Sequence, residues 1–219
     1  MLRKHKRLTK KELKKDPFLI FTAQVVEYLR EEWMKIAGTV AVVAVVIIAA
    51  FLIVNGRQKG EINAYDRAMT ALSNNAPEAS ELLENLVSRY GGSERAGEAL
   101  IALGNQSLLT EDYDSAEKQF STYFKKYTDN PILALNACNG LASIYEHKGD
   151  FSKAAETYES FISKNASSVF NPMIHLNAGK AYYHSGDKDA AKRHFTAITE
   201  KHSSSREQVE ATFFLELLN

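Results

Sequence analysis

The sequence predicts an all-α protein: one N-terminal transmembrane helix, then an α-solenoid of stacked helical hairpins. Three observations carry this reading. Residues 36–54 form a run of nineteen residues without a charge. Three later stretches repeat the same residue types at identical internal distances. Each of those stretches holds two apolar-periodic runs joined by a polar turn, the pattern of two helices folded against each other.

Composition bounds the function. The chain has 219 residues, 45% hydrophobic and 25% charged, as in an ordinary globular protein. Lys plus Arg and Asp plus Glu both number 27, so the net charge is zero. Residues 1–35 hold ten basic and five acidic residues, which leaves 27 − 10 = 17 basic and 27 − 5 = 22 acidic in the rest. A mildly acidic domain is a poor partner for a phosphate backbone, so nucleic acid is excluded as a partner. The single cysteine, Cys138, excludes an intrachain disulfide.

The N-terminal region divides at the apolar run. Residues 1–35 read as a basic cytoplasmic arm, 36–54 as the transmembrane helix, 55–60 as a linker and 61–219 as the repeat domain. As a helix, IAGTVAVVAVVIIAAFLIV spans about 28 Å, close to the ~30 Å hydrocarbon core. Its β-branched residues do not oppose a helix, because in lipid one segment must satisfy its own backbone hydrogen bonds. A cleaved signal peptide has a shorter apolar core behind a short leader and ends at a small-x-small site. Here 35 residues precede the run and the exit reads IVNGRQKG. Arg3, Lys4, Lys6, Arg7, Lys10, Lys11, Lys14, Lys15, Arg30 and Lys35 lie before the run, and Arg57 and Lys59 follow it. The positive-inside rule therefore puts the N-terminus in the cytoplasm and the repeats across the membrane. Trp33 stands where an interfacial aromatic belongs.

Ahead of the run, DPFLIFTAQVVEYLREEW reads as an amphipathic helix. Asp16 can cap it, with Pro17 at the first helical position. Phe18, Phe21, Val25, Tyr28, Leu29 and Trp33 place apolar groups on one side. Two readings fit: a helix lying on lipid, or a docking helix for another membrane protein.

The repeats begin after residue 60. LGNQSLLTEDYDSAEKQF from Leu103, LASIYEHKGDFSKAAETY from Leu141 and AGKAYYHSGDKDAAKRHF from Ala178 align without gaps. Each has a small residue second (Gly104, Ala142, Gly179), an alanine twelve later (Ala116, Ala154, Ala191) and an aromatic four after that (Phe120, Tyr158, Phe195). The alanines step by 38 and 37, and a further step back of 37 reaches Ala79, with Leu83 at the aromatic position. Glu61 to Tyr90 thus reads as a divergent first unit, for about four hairpins in all. Gly149 and Gly186 can end the first helix of a hairpin, and Asp150 and Asp187 can cap the second. One hairpin cannot bury its apolar face, but a stack can.

This pattern resembles the tetratricopeptide repeat, a helix-turn-helix of 34 residues. The small residue, Tyr145 and Tyr182, the turn glycine, the alanine and the aromatic all match. Three or four extra residues per unit fall after the aromatic. Ser107 and Glu111 replace the tyrosine and glycine of one unit, and Leu100, Cys138 and His175 occupy the consensus tryptophan position. The last segment, Ser205 to Leu218, reads as a helix that closes the stack or as a half-repeat that binds another chain.

No nucleophile elbow, zinc-protease motif, Walker loop or dinucleotide-binding glycine pattern occurs, so the reading is non-enzymatic, without cofactor or metal. His147, His175, His184, His194 and His202 fall at different repeat positions, and no spacing among them makes a ligand set.

The resemblance implies a concave groove lined by the first helices of the hairpins. Carried over by repeat position, its candidate protein-binding residues are Asn105, Asn139, Ser143, Glu146, His147, Lys180, Tyr183 and His184, with Ile101 and Leu176 on the same face. Asparagines can donate to and accept from an extended peptide. The expected partner is a protein or peptide, not a small-molecule substrate. The layout also resembles the ancillary subunit of the bacterial SecYEG translocon, whose domain begins much as AYDRAMTAL does here. FSTYFKKYTDNPILALNA resembles the periplasmic repeats of the cell division coordinator and of outer-membrane assembly lipoproteins, but a lipobox cysteine is lacking. These likenesses imply a single-pass protein of the bacterial inner membrane with a periplasmic, chaperone-like adaptor domain, the Sec translocon being one candidate partner. The alternatives are a structural subunit of an envelope or division complex and an organelle membrane receptor.

Overall fold

A computed structural model describes residues 17–127, 130–202 and 204–218. The basic residues before Pro17 and the proposed cap Asp16 lie outside the described residues. Regular structure among the described residues is entirely α-helical: α1 (Pro17–Ser73), α2 (Ala79–Tyr90), α3 (Glu94–Leu109), α4 (Tyr113–Lys126), α5 (Pro131–His147), α6 (Phe151–Lys164), α7 (Asn171–Ser185), α8 (Lys188–Lys201) and α9 (Gln208–Leu217). The chain divides into two units, Met1–Lys59 and Gly60–Asn219.

In the first unit, α1 carries one stretch long and apolar enough to cross a membrane, and none of that stretch is buried. Val40, Val45, Ile48, Phe51 and Ile53 all expose more than half of their surface. Residues 55–60, read as a linker, are helical. Gly56 and Gly60 each cost a helix only about 1 kcal/mol, and no proline is there to end it.

The second unit is a stack of hairpins: α2 to α9 each pack against the next, and the end of α1 joins α2 in a buried cluster through Ala68, Leu83 and Leu86. The end of α1 pairs with α2, then α3 with α4, α5 with α6 and α7 with α8, and α9 stands alone. The turns follow from local chemistry. Gly149 and Gly186 take positive φ of 76° and 89°, which a side chain resists. The unit that lacks this glycine puts Glu111 there at φ 59°. Asp112, Asp150 and Asp187 cap the second helices, their carboxylates accepting from the amides of Ser115, Lys153 and Ala190. The extra residues of each unit form the exits after α4, α6 and α8 and do not lengthen those helices, which are 14 residues each.

Packing centres on the recurring aromatic. Phe120 of α4 is fully buried, and it lies against both Gly104 of its own hairpin and Gly140 of the next. A Cβ on Gly140 would stand 2.5 Å from the Phe120 ring, and one on Gly104 would stand 2.6 Å from it. Phe195 repeats the arrangement, touching Gly179 and stacking on Phe214 of α9 at 4.9 Å. Ala116, Ala154 and Ala191 have no exposure at all, which is how paired helices approach closely. Ala79 and Leu83 of the divergent unit are buried as their repeat positions require.

Gly140→Ala should therefore destabilise the domain by about 1–3 kcal/mol, because the overpacked ring has nowhere to go. Gly56→Ala, with nothing within 4 Å of the added carbon, serves as the control. Chemical denaturation of the detergent-solubilised chain decides it; a Gly140→Ala midpoint at or above the wild-type value contradicts this packing.

Candidate functional site

The first helices α3, α5 and α7 carry the candidate groove residues. Asn105, Ser143, His147 and His184 are exposed, and Asn139, Glu146, Lys180 and Tyr183 are half-buried. Ile101 and Leu176, placed on the same face by repeat position, are instead core residues. Ile101 packs into the cluster that includes Ala137 and Cys138, and Leu176 into the one with Phe195 and Ala211. Their face is covered by the following helix of the stack, so the groove is narrower than repeat position alone implies.

Three of the candidates converge. Glu146 from α5 and Lys180 and His184 from α7 line one depression of about 350 Å³, together with Phe151, Tyr158, Asn177 and Ala181. The Tyr158 hydroxyl donates to the Glu146 carboxylate at 3.3 Å. Burial raises the Glu146 pKa, opposed by that hydrogen bond and by His184 and Lys180. Burial and the Glu146 charge both push the Tyr158 phenol upward, so it remains a donor. Lys180, on the same wall, also pairs with Glu210 of α9 at 2.5 Å. The depression thus offers a carboxylate, an ammonium, an imidazole and an amide within one wall. Such a set suits the mixed donors and acceptors of a peptide better than a single charge.

Asn105, Asn139, Ser143, His147 and Tyr183 do not line that depression. His147 stacks on Tyr113 at 4.4 Å, and His184 leans on Phe151 at 5.2 Å. These are the same contact one unit apart: the first residue of a second helix against the last turn of the next hairpin's first helix. Tyr183 sets its edge on Phe214 at 5.6 Å. The Asn139 Oδ1 is buried and has no hydrogen-bond partner among the described residues. Asn177 and Phe151 were missed by sequence reasoning. Asn177 stands 37 residues after Gly140, where a preceding aromatic lands, and that register could have found it.

The structure also joins two histidines that spacing kept apart. His175 Nδ1 lies 3.0 Å from His194 Nδ1, and His194 Nε2 lies 3.1 Å from Glu159. The carboxylate can only accept, so Nε2–H of His194 donates to it and Nδ1–H of His175 donates to His194. Tyr182 stacks on the His194 ring at 5.5 Å. The pair ties α6, α7 and α8 together. No group of three or more metal-ligating side chains assembles among the described residues.

A stack of helical hairpins presenting a mixed polar groove is the architecture of protein-interaction scaffolds. The match to the tetratricopeptide repeat-like domain family covers residues 30–209. The chain belongs to that family. The solved structure of kinesin light chain TPR-like repeats from Podosopora anserina is similar in fold, with a TM-score of 0.51 at 15% identity over 71% of this chain and 83% of that one. A variant of the same repeats gives 0.49, also at 15% identity, over 71% and 83%. A search of curated protein sequences gave no match.

Burial first, then the charges of His194, His202 and Lys201, lower the His175 pKa to about 4, well below the ordinary histidine range. The unfolded chain binds that proton more readily, so its contribution to stability is complete above about pH 6.5 and is lost as pH falls toward 4. The loss should be on the order of 1–2 kcal/mol, the full shift being discounted for a ring that solvent still reaches. Urea unfolding at pH 7, 5.5 and 4.5 measures it in wild type and His175→Phe. An identical pH slope in the two proteins rejects the assignment.

Proposed function

We propose that this chain is a membrane-anchored adaptor whose repeats hold a protein partner beside an extracytoplasmic membrane surface. The observation that carries the reading is the run 36–54, helical, uncharged and without a single buried residue. A bare apolar cylinder of that length calls for lipid. The family match begins at residue 30, ahead of that run, so the run and the repeats lie within one matched region. The basic excess before it favours a cytoplasmic N-terminus. The partner is engaged through the depression lined by Glu146, Asn177, Lys180 and His184. The inner membrane of a bacterium, with a chaperone-like role at the Sec translocon, is the setting that the layout favours. A permanent structural subunit of an envelope or division complex is the second reading, supported by the residues Tyr183 and Lys180 already committed to packing against α9.

Topology is tested by labelling. Cys138 is fully buried and Leu109 is 86% exposed, so Leu109→Cys provides one reactive thiol on the repeat domain. A membrane-impermeant maleimide should modify it in intact spheroplasts; modification only after lysis overturns the orientation. Glu146→Lys combined with His184→Glu should cut partner recovery from mild-detergent extracts at least tenfold while leaving the melting temperature within about 2 °C. Undiminished recovery moves the partner off this groove, and many recovered clients rather than one stoichiometric protein separate the adaptor from the structural subunit.

A further inference from the structure

Glu146 puts a carboxylate where the neighbouring units carry apolar side chains. Leu108 holds the same repeat position one unit earlier and Tyr183 one unit later, and both pack against buried clusters. A half-buried charge at such a place is costly unless something compensates it. The chain compensates it only slightly. One oxygen accepts from the Tyr158 hydroxyl at 3.3 Å, long for a bond between two oxygens. The other oxygen has no hydrogen-bond or ion-pair partner among the described residues.

The two basic side chains that line the depression do not fill this role. Lys180 gives its ammonium to Glu210, and His184 lies against the Phe151 ring at 5.2 Å. Neither is ion-paired with Glu146. Lys180 and Glu210 cancel each other, so the carboxylate of Glu146 is the charge left over. It faces real space. Phe120 fills the corresponding place against Gly140, and Phe195 does so against Phe214, but Tyr158 shares its place with Asn177 and a depression of about 350 Å³ remains.

The rest of the lining narrows the occupant. A bare metal ion asks for several oxygen ligands, and one carboxylate does not supply them. A cation carried on an apolar stem uses everything present. The Phe151 and Tyr158 rings attract positive charge, Phe151 and Ala181 suit a methylene chain, and the Asn177 carbonyl can accept an N–H. Given that the partner is engaged through this groove, as proposed above, we infer that the depression takes up a lysine or arginine side chain of the bound protein, with Glu146 as its counter-ion. Lys180 then acts against the ligand, because it places a second cation in the same wall.

The probes are acetylated, amidated pentapeptides Ala-Ala-X-Ala-Ala with X lysine, arginine, norleucine or glutamate. Saturation-transfer NMR measures their binding to the full chain in non-ionic detergent at pH 8, where an ordinary imidazole is uncharged. The lysine and arginine peptides should bind about fivefold more tightly than the norleucine peptide, and the glutamate peptide most weakly. Glu146→Gln should erase that preference. Lys180→Met should tighten the lysine peptide about twofold, by removing the competing ammonium. Preference for glutamate, no binding of either basic peptide, a preference that survives Glu146→Gln, or weaker binding after Lys180→Met each overturns the inference. The wild-type series needs no variant, so a misfolded mutant does not protect the idea. Partner recovery separates this inference from the groove itself. A loss with Glu146→Lys plus His184→Glu but none with Glu146→Gln keeps the groove and rejects the cation, and no loss with either rejects both.

Discussion

One ring wedged between two glycines sets the spacing of this domain. Phe120 reaches Gly104 in its own hairpin and Gly140 in the next, so a single side chain fixes both the closeness of the paired helices and the distance to the following pair. Neither glycine can gain a methyl group without displacing the ring. The arrangement is repeated with substitutions: Gly179 keeps the near contact of Phe195, while Phe214 takes the far one by stacking. Glycine against a ring and ring against ring are two solutions to one gap. Across the units the far contact varies, as Gly140, Asn177 and Phe214, while the near one stays small, as Gly104, Ala142 and Gly179.

Function then falls to the positions that this constraint leaves open. Tyr158 occupies the aromatic position, yet its hydroxyl reaches out of the core to Glu146, so a packing residue also furnishes the floor of the polar depression. Opposite it stands Asn177, where the preceding unit has Gly140. Replacing a glycine by an asparagine at the far contact removes the tight fit and puts an amide in its place. The groove's chemistry is therefore a local relaxation of the packing rule. The same holds for His175. It occupies a position filled by Leu100 and Cys138 in the other units, and the polar ring needs His194 and Glu159 to satisfy it. Buried polar groups without partners are costly, so one departure from the pattern draws in others.

This explains what was legible in the sequence. Positions fixed by repetition could be read directly: the small residues, Ala116, Ala154 and Ala191, the capping aspartates and the turn glycines all occupy the places their spacing assigned. Residues outside the repetition were only partly legible. Glu146, Lys180 and His184 meet, but Asn105, Ser143 and His147 do not join them, because a helical face is wide and only its edge toward the neighbouring hairpin forms the depression. Ile101 and Leu176 were misplaced for a related reason: their apolar character already argued for core, and the repeat position was given more weight. The His175–His194 contact could not be read at all, since it joins positions on two helices that the other units fill with unrelated residues.

Residues 36–54 are apolar around the whole helix, and none of them is buried. The proposed anchor rests on that shape, because a helix on the surface of a folded domain keeps one polar side. Helix α9 has such a side: Ala211 is buried with Phe195 and Ile198, while Glu210 reaches Lys180 of α7. The two helices are both apolar in composition, and the angular spread of their apolar residues is what separates them.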